Sequence, residues 1–208
     1  MLPKELSNGI CSLNPNEDRL AFSCLCELDK QGNITEYKFA KTVIRSRVKG
    51  VYSEINSLLA GSDDAELKEK YAEVSGQLPI IKELADILYK NKKNRGCPEL
   101  ETSESKLIIN DEDICVGVER RTRGRSEEII EDFMLVANEC AARFGMDNNL
   151  PFVYRIHEEP SDEKLESLRE ALVKLNVQYK LGEKACPGDM SEILKAAKGT
   201  DIDLIMNN

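Results

Sequence analysis

Close pairs of carboxylates, two thiols two residues apart and one imidazole are the side chains here that would first be asked to hold a metal or move a proton. Asp63-Asp64 and Asp111-x-Asp113 offer oxygen ligands of the kind a hard cation takes. The first pair opens an expected helix and the second falls at an expected hairpin tip, so caps and solvated turns are the better account of both. Cys24-x-Cys26 puts two sulfurs on one face of an expected strand. No second Cys or His pair has zinc spacing, which favours strand packing over a metal pair. His157 is the single histidine, so a two-histidine metal site is excluded. Also missing are a Gly-rich phosphate loop, a G-x-S-x-G elbow and an H-E-x-x-H pair.

A second set of polar residues gains meaning from helical spacing. Over residues 126–144 the apolar stripe is Ile130, Phe133, Met134, Ala137, Ala141 and Phe144. Glu131 and Asn138, seven apart, sit on one shoulder of that stripe. A carboxylate and an amide half sunk at a packed edge need partners. Internal partners satisfy them, or a ligand such as a ribose hydroxyl does, and from chemistry alone the internal reading comes first. Tyr52 lies in the apolar stripe of another expected helix, with Arg45, Arg47 and Lys49 close by in sequence. Core packing is its plainest role, and stacking on a base is the alternative. Arg120, Arg121, Arg123 and Arg125 crowd the entrance of the Glu131 helix, where cations oppose the helix dipole. RNA backbone is one anion that accounts for them, and Glu127 with Glu128 are others.

The elements that must position these residues are legible from pattern. The chain has 208 residues and 23.4 kDa, room for one large domain or two small ones. Its 41% hydrophobic and 32% charged residues are ordinary for a soluble globular protein. A net charge of -9 argues against generic nucleic-acid binding, so any RNA site is expected as a local basic strip. Seven cysteines, an odd number, and no secretory signal favour reduced thiols and a cytoplasmic setting. No run of apolar residues is long enough to cross a membrane. Strands are expected at residues 20–28 and 34–45 around Asp29-Lys30-Gln31-Gly32-Asn33. From Val48 the apolar period becomes helical as far as Gly61, and Ser62-Asp63 is the expected cap of a second, long helix kinked at Pro79. The two read as an α-hairpin. A further hairpin is expected around residues 110–113 and a helix over 126–144 capped by Ser126. A strand at 152–156, a helix at 162–175, a short strand at 176–179 and a helix from Asp189 to Lys198 follow, with one more helix beginning near Thr200. The sum is an α+β fold with a mixed or antiparallel sheet packed with several helices.

The opening string from Leu2-Pro3-Lys4-Glu5-Leu6-Ser7-Asn8-Gly9 to Asn14-Pro15-Asn16-Glu17-Asp18-Arg19-Leu20 resembles the ribonuclease II/ribonuclease R catalytic (RNB) domain. Further matches follow in family order. They are Tyr37-Lys38-Phe39 with Ile44-Arg45-Ser46-Arg47 and Val51-Tyr52, then Ile130-Glu131-Asp132-Phe133-Met134 through Ala137-Asn138, then Pro151-Phe152-Val153-Tyr154-Arg155-Ile156-His157. The resemblance implies a 3′→5′ exoribonuclease that degrades single-stranded RNA to nucleoside 5′-monophosphates with Mg²⁺. It places Tyr52 and Glu131 beside the RNA near the scissile end, where they help select RNA over DNA. Asn138, Arg121 and Arg123 complete the expected RNA-binding set. The family's metal-binding aspartates, of the type D-x5-D-x-D-D, have no match here, nor has its S-P-I-R-R-Y segment. Leu100 stands where relatives carry a stacking Phe. The expectation is therefore a truncated RNB-type catalytic core. Residues 1–208 would be the central part of one domain, with no catalytic or metal residue of its own and inactive alone. Self-association through an uncovered interior face is a further expectation. A non-catalytic RNA-binding or protein-interaction module is the alternative, and a small hydrolase built on Asp63/Asp64 or Asp111/Asp113 is a remote third.

Overall fold

The computed structural model describes residues 2–98, 104–121, 123–200 and 202. The chain forms two units, one from Met1–Tyr89 with Arg123–Val153, the other from Lys90–Thr122 with Tyr154–Asn208.

The first unit is built on a long hairpin. Strands β1 (Asp18–Leu28) and β2 (Ile34–Arg45) pair antiparallel from Asp18↔Arg45 to Glu27↔Glu36, with a bulge before Leu28↔Ile34. The turn closes because Asp29 Oδ1 accepts the backbone N–H of Gln31 (2.9 Å) and of Asn33 (2.8 Å), and because Gly32 takes φ +81° without a Cβ to resist it. Arg45 Nε donates to Asp18 Oδ1 (2.7 Å) at the open end. A π-helical turn, Glu5–Ile10, precedes the hairpin and is not foreshadowed by the pattern.

Helix α1 is Tyr52–Leu59, four residues shorter at its start than the apolar period from Val48 predicts. Val51 is extended (φ -118°, ψ 126°), and its N–H donates to the hydroxyl of Tyr71 (3.1 Å), a ring only 1% exposed. The expected long second helix is divided. Helix α2 is Ala65–Lys70, a 3-10 turn spans Ser75–Gln77, and α3 runs Leu78–Asn94. Ser75 and Gly76 are weak helix formers, and Pro79 starts a helix better than it bends one, since its missing N–H costs nothing in the first turn. Asp64, rather than Ser62 or Asp63, caps α2 by accepting the N–H of Glu66 (2.9 Å) and Leu67 (3.2 Å).

Helix α4 (Arg125–Asp147) lies against the hairpin and against α1. Tyr37 donates to Asp147 Oδ2 (2.9 Å). Its buried face is Ser126, Ile129, Asp132 and Cys140, about one residue round from the expected stripe, while Ile130 and Met134 are exposed. The helix is apolar over a wide arc, so period alone does not choose between adjacent faces. Its cap is Gly124, not Ser126. Glu127 Oε2 accepts the Gly124 N–H (3.1 Å), and Ser126 is turned inward.

The second unit contains the hairpin of β3 (Glu104–Ile109) and β4 (Cys115–Arg121), again antiparallel, with Asn110 holding its turn. Helices α5 (Asp162–Lys174) and α6 (Pro187–Ala197) enclose a small core of Leu165, Leu172, Val177, Leu181 and Ile193. Tyr179 donates to Asp189 Oδ1 (2.6 Å), whose Oδ2 accepts the Cys186 N–H (2.7 Å) and fixes the start of α6. The strands expected at 152–156 and 176–179 are irregular segments. Neither finds a neighbour to complete a ladder, and Val177 reaches the core from a loop instead. The helix expected beyond Thr200 lies outside the described residues.

The fold is thus α+β, with two separate two-stranded antiparallel sheets among the described residues. Among the described residues no helix is long and apolar enough to cross a membrane.

Candidate functional site

The carboxylate pairs are structural. Asp63 takes Lys68 (2.7 Å), Asp64 caps α2, and Asp111 and Asp113 lie exposed at the β3–β4 turn. Cys24 and Cys26 face α4, where burial, with the Cys24 thiol beside it, pushes the Cys140 thiol up to about 12. Among the described residues no group of three or more His, Cys, Asp and Glu is placed to hold a metal ion.

The polar residues singled out by helical spacing fare differently. Tyr52 opens α1 and is 46% exposed. Because α1 begins at Tyr52, the ring stands on the helix's first turn instead of inside its stripe. Ile55, Leu58 and Leu59 supply the sheltered side. Glu131 is half-buried on α4, where Arg123 pairs with its carboxylate. Asn138, two turns on, is exposed. Tyr52, Glu131, Asn138 and Arg123 all belong to the first unit, on two helices that pack against each other and on the loop leading into one of them.

The arginine cluster is divided. Arg121 ends β4 opposite Glu104, and its side chain lies outside what the structure describes. Arg125 bridges Asp86 of α3 (2.6 Å) and Glu128 (2.8 Å), so it ties two helices together. Leu100 lies outside the described residues.

The sequence pattern missed the groups that join the two helices. Asn56 of α1 and Ser126 and Glu127 of α4 form a part-buried hydrogen-bonded set, with Ser126 only 4% exposed. Burial raises the carboxyl of Glu127, but hydrogen bonds from Asn56, Ser126 and the backbone outweigh it and hold the group below its usual range. An asparagine one turn beyond a candidate tyrosine is a faint signal, and only the packing of α1 on α4 gives it a partner.

Comparison with known proteins decides the family. The RNB domain model matches residues 1–207. This chain belongs to the RNB domain family. Ribonuclease R 1 of Lactococcus lactis is 41% identical over 166 residues, covering 80% of this chain and 20% of that protein. Ribonuclease R of Escherichia coli is 36% identical over 196 residues, covering 94% of this chain and 24% of the relative. The chain therefore spans about a fifth to a quarter of the curated relatives it matches. The structure superposes on the apo form of Mycoplasma genitalium RNase R with a TM-score of 0.90 at 27% identity, covering 99% of this chain and 32% of the other. The same Mycoplasma genitalium RNase R has been determined in complex with ribose methylated single-stranded RNA and with double-stranded RNA.

Proposed function

We propose that this chain supplies one wall of the RNA path of a 3′→5′ exoribonuclease that hydrolyses single-stranded RNA to nucleoside 5′-monophosphates in the cytoplasm. The observation that carries the reading is the accessibility of Tyr52 and Glu131 on two helices packed against each other. In this reading the Tyr52 ring stacks on a base near the 3′ end. Glu131 accepts a hydrogen bond from a ribose 2′-hydroxyl, the group that tells RNA from DNA. Arg123 turns from Glu131 to a backbone phosphate as the hydroxyl arrives, and Asn138 offers a further polar contact along the same helix. Arg121, in the second unit, is proposed as a separate contact to RNA backbone. Magnesium belongs to the proposed reaction of the whole enzyme, and we assign it no ligand in this chain.

Two measurements test this. The 208-residue chain incubated with Mg²⁺ and a labelled oligoribonucleotide is expected to release no mononucleotide; clean release would overturn the view that it needs other polypeptide. In the protein that carries this chain, Tyr52→Ala and Glu131→Ala are each expected to lower the preference for RNA over DNA oligonucleotides about tenfold, the worth of one or two good hydrogen bonds or a stacked base. An unchanged preference in both would remove them from the site.

A second reading, a protein-interaction module, is favoured by the apolar side chains that β1 and α4 leave uncovered, notably Leu20 at 86% exposure, Phe22 and Met134. Sedimentation of the chain across a concentration series would show reversible dimers on this reading. A monomer at every concentration would dispose of it.

A further inference from the structure

The hydrogen bonds that join α1 to α4 centre on a side chain that neither charge pattern nor apolar period selects. Asn56 stands one helical turn beyond Tyr52. Its Oδ1 accepts the backbone N–H of Ser126 (2.8 Å), and its Nδ2 donates to Glu127 Oε2 (3.1 Å). The same carboxylate oxygen accepts the N–H of Gly124 (3.1 Å). Ser126 Oγ lies 3.1 Å from that oxygen and 3.1 Å from the carbonyl of Tyr52, and donates its one proton to either. The N–H groups at the start of a helix have no partner within it, so Asn56 satisfies one of the donors that α4 leaves open. The approach is close enough to require a glycine: a Cβ on Gly124 would stand 2.0 Å from Asn56 Nδ2.

We propose that Asn56 is a positioning residue that holds Tyr52 and Glu131 in register by clamping the N-terminal half of α1 to the first turn of α4. This rests on the reading of Tyr52 and Glu131 given above. Tyr52 is the first residue of its helix, a place where helices fray. Its carbonyl is within reach of Ser126, whose backbone N–H is held by Asn56, while Glu131 projects from α4 just over one turn further on. Stacking and ribose recognition read the same nucleotide only if the two side chains keep a fixed separation, and a misplacement of about 1 Å is enough to degrade such a site. Asn56 touches no RNA itself. Its effect falls on discrimination between sugars rather than on the chemical step.

The test uses the full-length protein that carries this chain, with an oligoribonucleotide and the same sequence bearing 2′-deoxyribose at its 3′-terminal nucleotides. Asn56→Ala is expected to lower the RNA-over-deoxy ratio of kcat/KM about tenfold, mainly through KM, with kcat on RNA within about threefold of wild type. Asn56→Asp keeps the acceptor for Ser126 but sets a carboxylate against Glu127, and is expected to lose the ratio as well. Adding Glu127→Gln to Asn56→Asp restores a donor between the two positions and is expected to recover most of the ratio. A stability-only role would lower activity on both substrates together and leave the ratio unmoved throughout the series. If Asn56→Ala leaves the ratio unchanged while Tyr52→Ala and Glu131→Ala lower it, the positioning role is overturned and the site stands. If all three leave it unchanged, both fall. Should Asn56→Ala fail to fold, a paired exchange no better than Asn56→Asp alone overturns the proposal by itself.

Discussion

Phe144, near the end of α4, sets its ring edge-on against Phe39 of β2, with centroids 5.5 Å apart and planes inclined at 66°. Phe39 in turn stacks on Phe22 across the hairpin at 5.7 Å. These rings anchor the far end of the helix that carries Glu131. Phe144→Ala is therefore expected to lower the unfolding free energy by about 2 kcal/mol, less than a fully buried ring because Phe144 keeps 39% of its exposure. Urea denaturation followed by circular dichroism measures it. A midpoint that does not move would mean the ring contact contributes nothing.

Gly124 and Asn56 are coupled by contact. An added Cβ on Gly124 would press on the Asn56 amide, which must move and give up its bonds to Ser126 and Glu127. Gly124→Ala is expected to destabilise the protein by about 1–2 kcal/mol. In an Asn56→Ala background most of that cost should vanish, because the obstruction and the bonds are already gone. A double-mutant cycle in urea reads the difference, and strict additivity would contradict the contact.

Much of the local structure was legible in the residues. The β1–β2 hairpin followed from alternation around Asp29 and Gly32, and α5 lies within one residue of the helix expected at 162–175. What failed was decided by partners distant in sequence. Val51 continues the apolar period of α1 yet stays extended, because Tyr71, twenty residues away, holds its N–H. Residues 152–156 have strand composition and no strand to pair with, so they stay irregular. The buried face of α4 differs from the expected one because Ile129 and Ile130 are equally apolar, and only the hairpin and α1 decide which of them turns inward.

The candidate site was half legible. Glu131 and Asn138 stood out by spacing and Tyr52 by its basic neighbours, yet nothing in the sequence says that α1 and α4 meet. Within the arginine cluster, Arg125 takes Glu128, one of the anions expected for it, and also Asp86 of α3, which the sequence does not indicate. Asn56 was invisible because its partners, Ser126 and Glu127, are seventy residues away.

In the second unit, Tyr179 reports on the start of α6. Its hydrogen bond to Asp189, with burial adding to it, raises the phenol to about 12. Spectrophotometric titration of the tyrosines should show a step near that value, and Tyr179→Phe should abolish it. Asp189→Asn should bring the step down toward 10.0, the ordinary value. A titration that the Tyr179 substitution leaves untouched would refute the assignment.

Cys140 gives the protein a dependence on alkaline pH whose sign follows from its environment. Burial first, and the neighbouring Cys24 thiol second, raise it from 9.0 to about 12, so the folded chain keeps a proton that the unfolded chain gives up. The stability this contributes is whole below pH 9 and is lost as the pH rises from there toward 12. Cys140→Ala removes the buried thiol, and its urea midpoint should fall less steeply than the wild type's across that interval. Thiol labelling supplies an independent check, since only the thiolate reacts. Cys11, Cys26, Cys115 and Cys186 are exposed, whereas Cys140 is fully buried. At neutral pH Cys140 should label only as fast as the protein unfolds, and its rate should rise with urea. Labelling of Cys140 at the rate of Cys115, or identical pH profiles for wild type and Cys140→Ala, would show that the thiol is not sealed between the hairpin and α4.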